Sequence, residues 1–362
     1  MSAAATGQTP TFLWLTGHVR NVGDSMLRRP LADLYRGVGP IRVWSGAPGS
    51  GYAAGLRISD GESASSFQAW AWEFTRAALR GRPTFVFNAG EFGVTKAYFF
   101  GLLALAPALI LARTKGSRIV WVGAGVKNRR RYFMWPFDML AKAAGDLRWR
   151  DVTSARLMGR GRTMPDWGFG IGPGGEMAPA LAVVAPASRD KIAVSLRGDR
   201  REPSEEWLDA VERLAHRLDR EIVCVVQVED DNALMERVAN RLGAEFIGWG
   251  DGDHWVQEQR VRKAYSRSVL TLSDRLHGLV IAATEGAVPL GWCEATTAKV
   301  TNHFEVIGAD HVGPGNSSVV DLIDALDDAR VNELSADSTA RIADARARVD
   351  AVREELGAAE PR

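Results

Sequence analysis

The chain has 362 residues, 46% of them hydrophobic and 25% charged, with 45 Lys and Arg set against 44 Asp and Glu. That length exceeds one compact core and suits two domains of roughly 100–200 residues each. The composition is that of an ordinary globular protein, and a formal net charge of +1 gives no support for the electrostatic footprint of a nucleic-acid-binding domain.

Residues 1–10 are small and polar, without a basic segment leading into an apolar one, so a cytoplasmic protein is expected. Residues 12–17 read as a first strand, and the loop His18-Val-Arg-Asn-Val-Gly-Asp-Ser25 leads into a helix through about Gly37. Further strands are expected at 41–46, 84–88, 118–123 and 147–152, each running into Gly, Asn or Thr/Ser. This alternation of strand and helix signals predicts a doubly wound, mostly parallel sheet.

Residues 97–112 carry no charge. They fall short of the ~20 residues a spanning helix needs and are interrupted by Pro107, so a helix buried between layers is expected. The arginine- and aromatic-rich segment 128–137 follows. Together the two would let one face rest on an anionic bilayer, giving peripheral contact at the inner side of the membrane.

Gly168-Phe-Gly-Ile-Gly-Pro-Gly-Gly175 and the Ala/Pro-rich stretch to Asp190 read as a flexible interdomain linker. A second α/β series begins with a strand at 191–196. It continues with a helix at 205–218, a strand at 221–228, a helix at 232–242 and a strand at 244–248. Residues 268–293 then form a strand–helix–strand unit whose Ser273 and Asp274 are good N-caps. Residues 338–356 carry apolar residues at helical spacing and predict one terminal amphipathic helix. The expected organisation is a first domain over 1–175, a second over 176–335, and the helix and tail over 336–362. Cys224 and Cys293 lie in apolar runs and read as reduced core residues, and Trp70, Trp72, Trp121 and Trp207 sit in patterns that bury them.

Ligands of open α/β sheets bind beyond the carboxyl ends of the strands, so chemistry is sought in the strand-end loops. Asn21-Val-Gly23-Asp24 follows the first strand. Gly23 permits a tight turn, and Asp24 lies where an acidic residue serves either as a cap or as a reactive carboxylate. Ser195-Leu-Arg197-Gly-Asp199 and Ser273-Asp-Arg275-Leu-His277 end two strands of the second half. Arg197 and Arg275 with His277 at a helix entrance suit a ligand with two anionic groups, such as a phosphorylated acid. The histidines and cysteines show no metal-ligand spacing.

These residues, in this order, resemble the polysaccharide pyruvyl transferase family. Asn21-Val-Gly23-Asp24 resembles its N-terminal loop, and Arg150-Asp-Val-Thr-Ser154 with Pro165-Asp166 its mid-chain elements. Ser195-Leu-Arg197 resembles a Leu-Arg strand end. The most specific match is Arg275-Leu-His277, continued by Ala-Ala-Thr-Glu-Gly286 and Pro289, with Lys299 beyond. The chain departs at Asn88-Ala-Gly90-Glu91, where a Gly-Gly pair is usual, and at Gly123-Ala-Gly125.

The resemblance implies two Rossmann-like domains of GT-B-like arrangement facing each other across a cleft. It implies phosphoenolpyruvate as donor, with no metal or organic cofactor, and a cyclic pyruvate ketal on two hydroxyls of a glycan or glycolipid sugar as product. The first domain would take the acceptor and the second the donor. Arg197 and Arg275 would clamp the donor, with Asn21, Gly23 and Lys299 also at the substrates, and His277 and Asp24 would be catalytic. Two other readings stay open. A nucleotide-sugar glycosyltransferase or epimerase would use Glu285 on ribose and the helix entrance on diphosphate. A non-catalytic glycan-binding protein would use tryptophans as sugar-stacking surface.

Overall fold

The computed structural model describes residues 10–127, 133–177, 189–295 and 298–358. Within these, two parallel sheets form. The first contains β1 (Thr11–Trp14), β2 (Ile41–Trp44), β3 (Thr84–Phe87), β4 (Gly90–Phe92), β5 (Ile119–Val126), β6 (Asp146–Trp149) and β7 (Arg162–Thr163). Its order is β2-β1-β3-β5-β6-β7, with β4 also pairing β5. The second contains β8 (Lys191–Ser195), β9 (Glu221–Val225), β10 (Glu245–Ile247), β11 (Ser268–Ser273) and β12 (Val288–Leu290), in the order β10-β9-β8-β11-β12.

Each sheet reverses its direction of growth once, between β1 and β3 in the first and between β8 and β11 in the second. Such switch points open a crevice at the strand carboxyl ends. The loop carrying Asn21 to Asp24 leaves β1, and the one carrying Asn88 leaves β3. Arg197 and Arg275 each lie two residues past Ser195 and Ser273, which are paired across β8 and β11.

Packing joins the two halves. One apolar cluster contains Leu13, Leu31 and Val122 of the first half together with Val223, Tyr265 and Ile281 of the second. The outer face of the first sheet is covered by aromatics, among them Trp70, Phe74, Trp121 and Phe137. The terminal helix begins earlier than its apolar spacing suggests and runs Asp328–Ala358, about 46 Å at 1.5 Å per residue. Its Val331 and Leu334 pack on the second sheet, whereas Val349, Val352 and Leu356 pack beside Leu31 and Tyr35 of the first. Arg118 donates to the Leu356 carbonyl at 2.5 Å and Arg148 pairs with Glu355, so the helix straps both halves together.

Several expectations are corrected. The first helix divides into Val22–Met26 and Arg29–Val38, because Pro30 opens a new helix at its first turn. Val152 is helical rather than extended, since Asp151 caps a helix at Val152–Met158. Gly168–Gly175 is not a loose linker: a Cβ on Gly168 would lie 2.9 Å from Val280 Cγ1, and one on Gly170 2.7 Å from Val349 Cγ1. Those glycines let the first half, the second half and the terminal helix meet, while residues 178–188 of the same segment lie outside the described residues. Trp72 is exposed, unlike Trp70, Trp121 and Trp207. Helices Phe67–Arg80 and His254–Ser266 form where no element was expected.

The uncharged segment lies in helix Lys96–Thr114, which keeps Pro107 inside it. It is long and apolar enough to cross a membrane, yet Leu102, Leu105, Ala108 and Ala112 are buried in the core of the first half. Residues 128–132 of the neighbouring basic segment lie outside the described residues.

Candidate active site

A cavity of about 780 Å³ lies between the two sheets' carboxyl ends and is lined by residues of both. Of the residues expected at the substrates in the pyruvyl-transfer reading, all except Gly23 line it: Asn21, Asp24, Arg197, Arg275, His277 and Lys299; Glu285, expected on ribose in the nucleotide-sugar reading, does not, and pairs instead with Arg262 at 2.7 Å. Gly23 lies directly behind, against His277.

Asn21 is the actual N-cap of its helix, accepting from Gly23 N at 3.0 Å. It also bridges to Val228 of the second half, and Val22 N donates to Gln227 O at 3.1 Å. Asp24 is therefore free of capping. It accepts from His18 N at 2.8 Å and faces Arg28 Nη1 at 3.6 Å. Burial raises its pKa, but the Arg28 guanidinium, the His18 N–H and the neighbouring His277 and Lys299 together outweigh this and hold it below the usual carboxylate range. Asp24 is thus an ionised carboxylate at the cavity wall.

His277 is the second residue of helix Leu276–Thr284 and is 7% exposed. Its Nε2 lies 3.5 Å from Arg150 Nη1 and 3.9 Å from Asp166 Oδ2. Arg150 and Asp166, both 1% exposed, pair at 3.0 Å. Asp166 Oδ1 also accepts from Gly168 N at 2.9 Å. Burial raises the Asp166 pKa, but His277 and Arg150 draw it well below the ordinary carboxyl value. The His277 pKa is lowered, first by burial and then by Arg150, although Asp166 opposes the shift. His277 is accordingly a neutral imidazole in the resting protein.

The motif residues around Arg150 separate into two kinds. Asp151 accepts from Ser154 N at 2.6 Å and from Ser154 Oγ at 2.8 Å, while Ser154 Oγ accepts from Val126 N at 2.8 Å. Those two residues fasten the loop, and Arg150 alone reaches the cavity.

Neither Ser273 nor Asp274 caps the helix, contrary to the sequence reading. Ser273 Oγ donates to Ser195 O and accepts from Arg275 N, and Asp274 accepts from Arg197 N at 2.9 Å. Arg275 takes the N-cap position and gives no side-chain cap, and the first helical residues, Leu276 and His277, line the cavity. Arg275 Nε donates to Asp231 at 2.7 Å, and Arg197 grips Asp199 with two bonds at 2.9 and 2.7 Å. An incoming anion would compete with these two carboxylates for the guanidinium groups. The Asp274 carboxyl, 4% exposed, is pushed up to about 6, chiefly by burial.

Lys299 pairs across the cleft with Glu91 of the first half, and Arg150 Nη2 lies 3.9 Å from the same carboxylate. The Lys299 pKa is lowered by burial and by Arg150. Lys127 and Arg200 also line the cavity. Among the described residues no group of three or more His, Cys, Asp or Glu is placed to hold a metal ion.

Site residues missed from sequence are Arg150 and Asp166 as partners of His277, Asp274 as a carboxyl of raised pKa, and Glu91. The signal for Glu91 was its place just beyond a strand end, at Asn88-Ala-Gly90-Glu91. Arg150 and Asp166 were visible only as loop elements.

No protein-family model and no curated protein matches this chain. Solved structures do resemble it. A Staphylococcus aureus MnaA structure with UDP aligns at TM-score 0.57 and 14% identity, covering 96% of each chain. Anabaena HepE in complex with UDP and glucose aligns at 0.56 and 12%, covering 97% of this chain and 99% of that one. The UDP-GlcNAc 2-epimerase of Neisseria meningitidis bound to UDP-GlcNAc aligns at 0.55 and 10%, covering 96% and 99%. At these identities the likeness is one of fold: two Rossmann-like α/β domains in a GT-B-like arrangement.

Proposed function

We propose that the chain is a phosphoenolpyruvate-dependent pyruvyl transferase forming a cyclic ketal on a sugar. The observation that carries this reading is the convergence of His277, backed by the buried Arg150–Asp166 pair, with Arg197, Arg275 and Lys299 in one interdomain cavity. The motif resemblance of the same residues supports it. Phosphoenolpyruvate has a carboxylate and a phosphate, which suit two arginines at neighbouring strand ends and a helix entrance without a side-chain cap.

In this reading the methylene carbon of the donor takes a proton, leaving an oxocarbenium-like C2. One sugar hydroxyl bonds to C2 and gives up its proton, and the C2–O bond to phosphate breaks. The second hydroxyl bonds to C2, closing the ring and losing its proton, while phosphate carries one proton away. His277, neutral, accepts a hydroxyl proton. Asp274, with its raised pKa, supplies the proton to the methylene carbon, and a bound anion would raise that pKa further. Arg197 and Arg275 offset charge on the departing phosphate, and Asp24 orients the acceptor hydroxyl.

Thermal-shift titration with phosphoenolpyruvate, beside UDP and inorganic phosphate, tests the donor. A ligand at a hundred times its Kd stabilises the folded state by about 2.7 kcal/mol. The expected result is a shift with phosphoenolpyruvate that disappears in Arg275→Ala and Arg197→Ala. The second reading, a UDP-sugar glycosyltransferase or epimerase, is favoured by the fold comparisons, whose solved members hold UDP or UDP-GlcNAc. A shift with UDP and none with phosphoenolpyruvate would replace the first reading by the second.

A further inference from the structure

Between Glu91 and Asp138 the chain holds eight Lys or Arg and no Asp or Glu, although the whole protein carries a net charge of only +1. Helix Lys96–Thr114 lies in this segment. Ala97, Phe100, Ala104, Pro107 and Ile110 are exposed and recur at three- and four-residue steps, so they form one apolar stripe. Trp135 and Met139 continue it on helix Trp135–Ala143. Four of the ten exposed large hydrophobic residues among those described fall here: Phe100, Ile110, Trp135 and Met139. A groove of about 180 Å³ runs between the two helices, and Phe99 packs edge-on against Phe100, Phe133 and Trp135. Lys96, Arg113 and Lys142, on the same two helices, are exposed.

The same helix walls a second cavity, of about 720 Å³, lined by Trp14, Trp44, Phe67, Phe92, Tyr98 and Phe100. His18, Asp24 and Glu91 line both this cavity and the interdomain one. Its polar groups include the Thr16 and Tyr98 hydroxyls, 2.7 Å apart. The cavity thus begins at Asp24, passes between aromatic rings, and reaches Phe100 on the apolar stripe.

We infer that this face rests on an anionic bilayer and that the aromatic cavity receives a sugar borne on an apolar lipid carrier, the sugar lying at Asp24 and the carrier leaving past Phe100. The lipid-borne acceptor rests on the reading of the chain as a sugar-modifying transferase. Bilayer contact stands on the surface itself. The occupant is a lipid surface because an apolar stripe with aromatics, flanked by Lys96, Arg113 and Lys142 against one half-buried acid, Asp138, on these two helices, matches the headgroup boundary of anionic lipid. The helix lies on the membrane and does not cross it, because its opposite face is committed to the protein core.

The test is flotation of the full chain with phosphatidylcholine vesicles, with and without phosphatidylglycerol. Binding is expected only to vesicles containing phosphatidylglycerol and should weaken with salt. The double variant Ile110→Glu/Met139→Glu, at exposed positions, should lose roughly tenfold or more of the bound fraction while keeping its thermal shift with phosphoenolpyruvate. No flotation, flotation unchanged in the variant, or a dimer of the wild type that the variant abolishes would overturn the inference. The last outcome would mean that a second copy covers the face. Loss of the phosphoenolpyruvate shift with flotation intact would strike the donor reading alone.

Discussion

Gly23 and His277 come from different domains and touch so closely that no side chain fits between them. A Cβ at position 23 would stand 2.5 Å from His277 Nδ1 and 2.6 Å from its Cβ. The glycine of the Asn-x-Gly-Asp loop therefore sets the depth at which the imidazole sits. The nearest atoms include the base of the ring, which cannot swing aside as the tip of a long side chain can. Gly23→Ala should push His277 off its line with Arg150 and Asp166. A misplacement of about 1 Å costs on the order of a hundredfold in rate, with overpacking of about 1–3 kcal/mol. Steady-state transfer assays and a thermal melt on the same preparation would check this. Activity within threefold of wild type would show that the contact does not position the histidine.

Asp166 holds the positive charge of Arg150 in a place that water does not reach. Removing one partner of a buried pair leaves the other charge uncompensated, at a cost of about 3–5 kcal/mol. Asp166→Asn should fall in that range by urea denaturation. It also removes the carboxylate that opposes the lowering of the His277 pKa, so the imidazole should bind its proton still more weakly. An NMR titration of the His277 ring would read that change. An unaltered histidine titration would mean that Asp166 acts on Arg150 only.

The sequence revealed the strand-end residues because their signal is local. Arg197 and Arg275 follow β-branched runs, and the strand register then aligns them. It did not reveal that Arg150 meets His277, 127 residues away, since nothing local encodes that contact. Helix His254–Ser266 escaped for another reason. Its buried face is His254, Gln257, Glu258, Val261, Arg262 and Tyr265, which has helical spacing but mostly polar chemistry, so a search for apolar periodicity passes over it. The glycines at 168–175 misled in the opposite direction. They read as flexibility, yet they are small because three elements converge on them.

That polar helix face makes a cross-domain ion network. Glu258 accepts from Arg29 of the first half at 2.7 and 2.8 Å and from Arg262 at 2.8 Å, and Arg262 pairs with Glu285 at 2.7 Å. All four are buried. Glu258→Ala should strand the Arg29 guanidinium, leave Arg262 with Glu285 alone, and destabilise the protein by about 3–5 kcal/mol. The network and the apolar cluster beside it join the domains, so wild-type unfolding should be a single transition. In the variant the domains should separate into two. Urea unfolding followed by fluorescence and by far-UV circular dichroism would show it, and coincident curves in the variant would place the coupling elsewhere.

Stability should fall as pH drops below about 6.5, before most carboxylates titrate. His254, His277, His303 and His311 all have lowered pKa values, in each case chiefly through burial. Near pH 6 the unfolded chain binds protons at these positions that the native state does not, so protonation favours unfolding. Each such group contributes a slope of up to about 1.4 kcal/mol per pH unit. Asp274 acts in the opposite sense: with its pKa pushed up to about 6, the native state takes up a proton that the unfolded chain releases. Burial raises Asp231 and Glu285 in the same sense as Asp274, so four imidazoles stand against three carboxyls, and the melting temperature should decline modestly from pH 7 to pH 5.5. His303 gives the sharpest check. Its Nδ1 donates to Lys299 O at 2.7 Å, and its buried Nε2 has no hydrogen-bond partner among the described residues. His303→Asn keeps an amide donor there but cannot titrate, so the pH slope of stability should shrink by about one proton. An unchanged slope would mean that His303 is already charged in the native protein, stabilised by the carboxylate of Asp166 against the nearby Arg150 and Lys299.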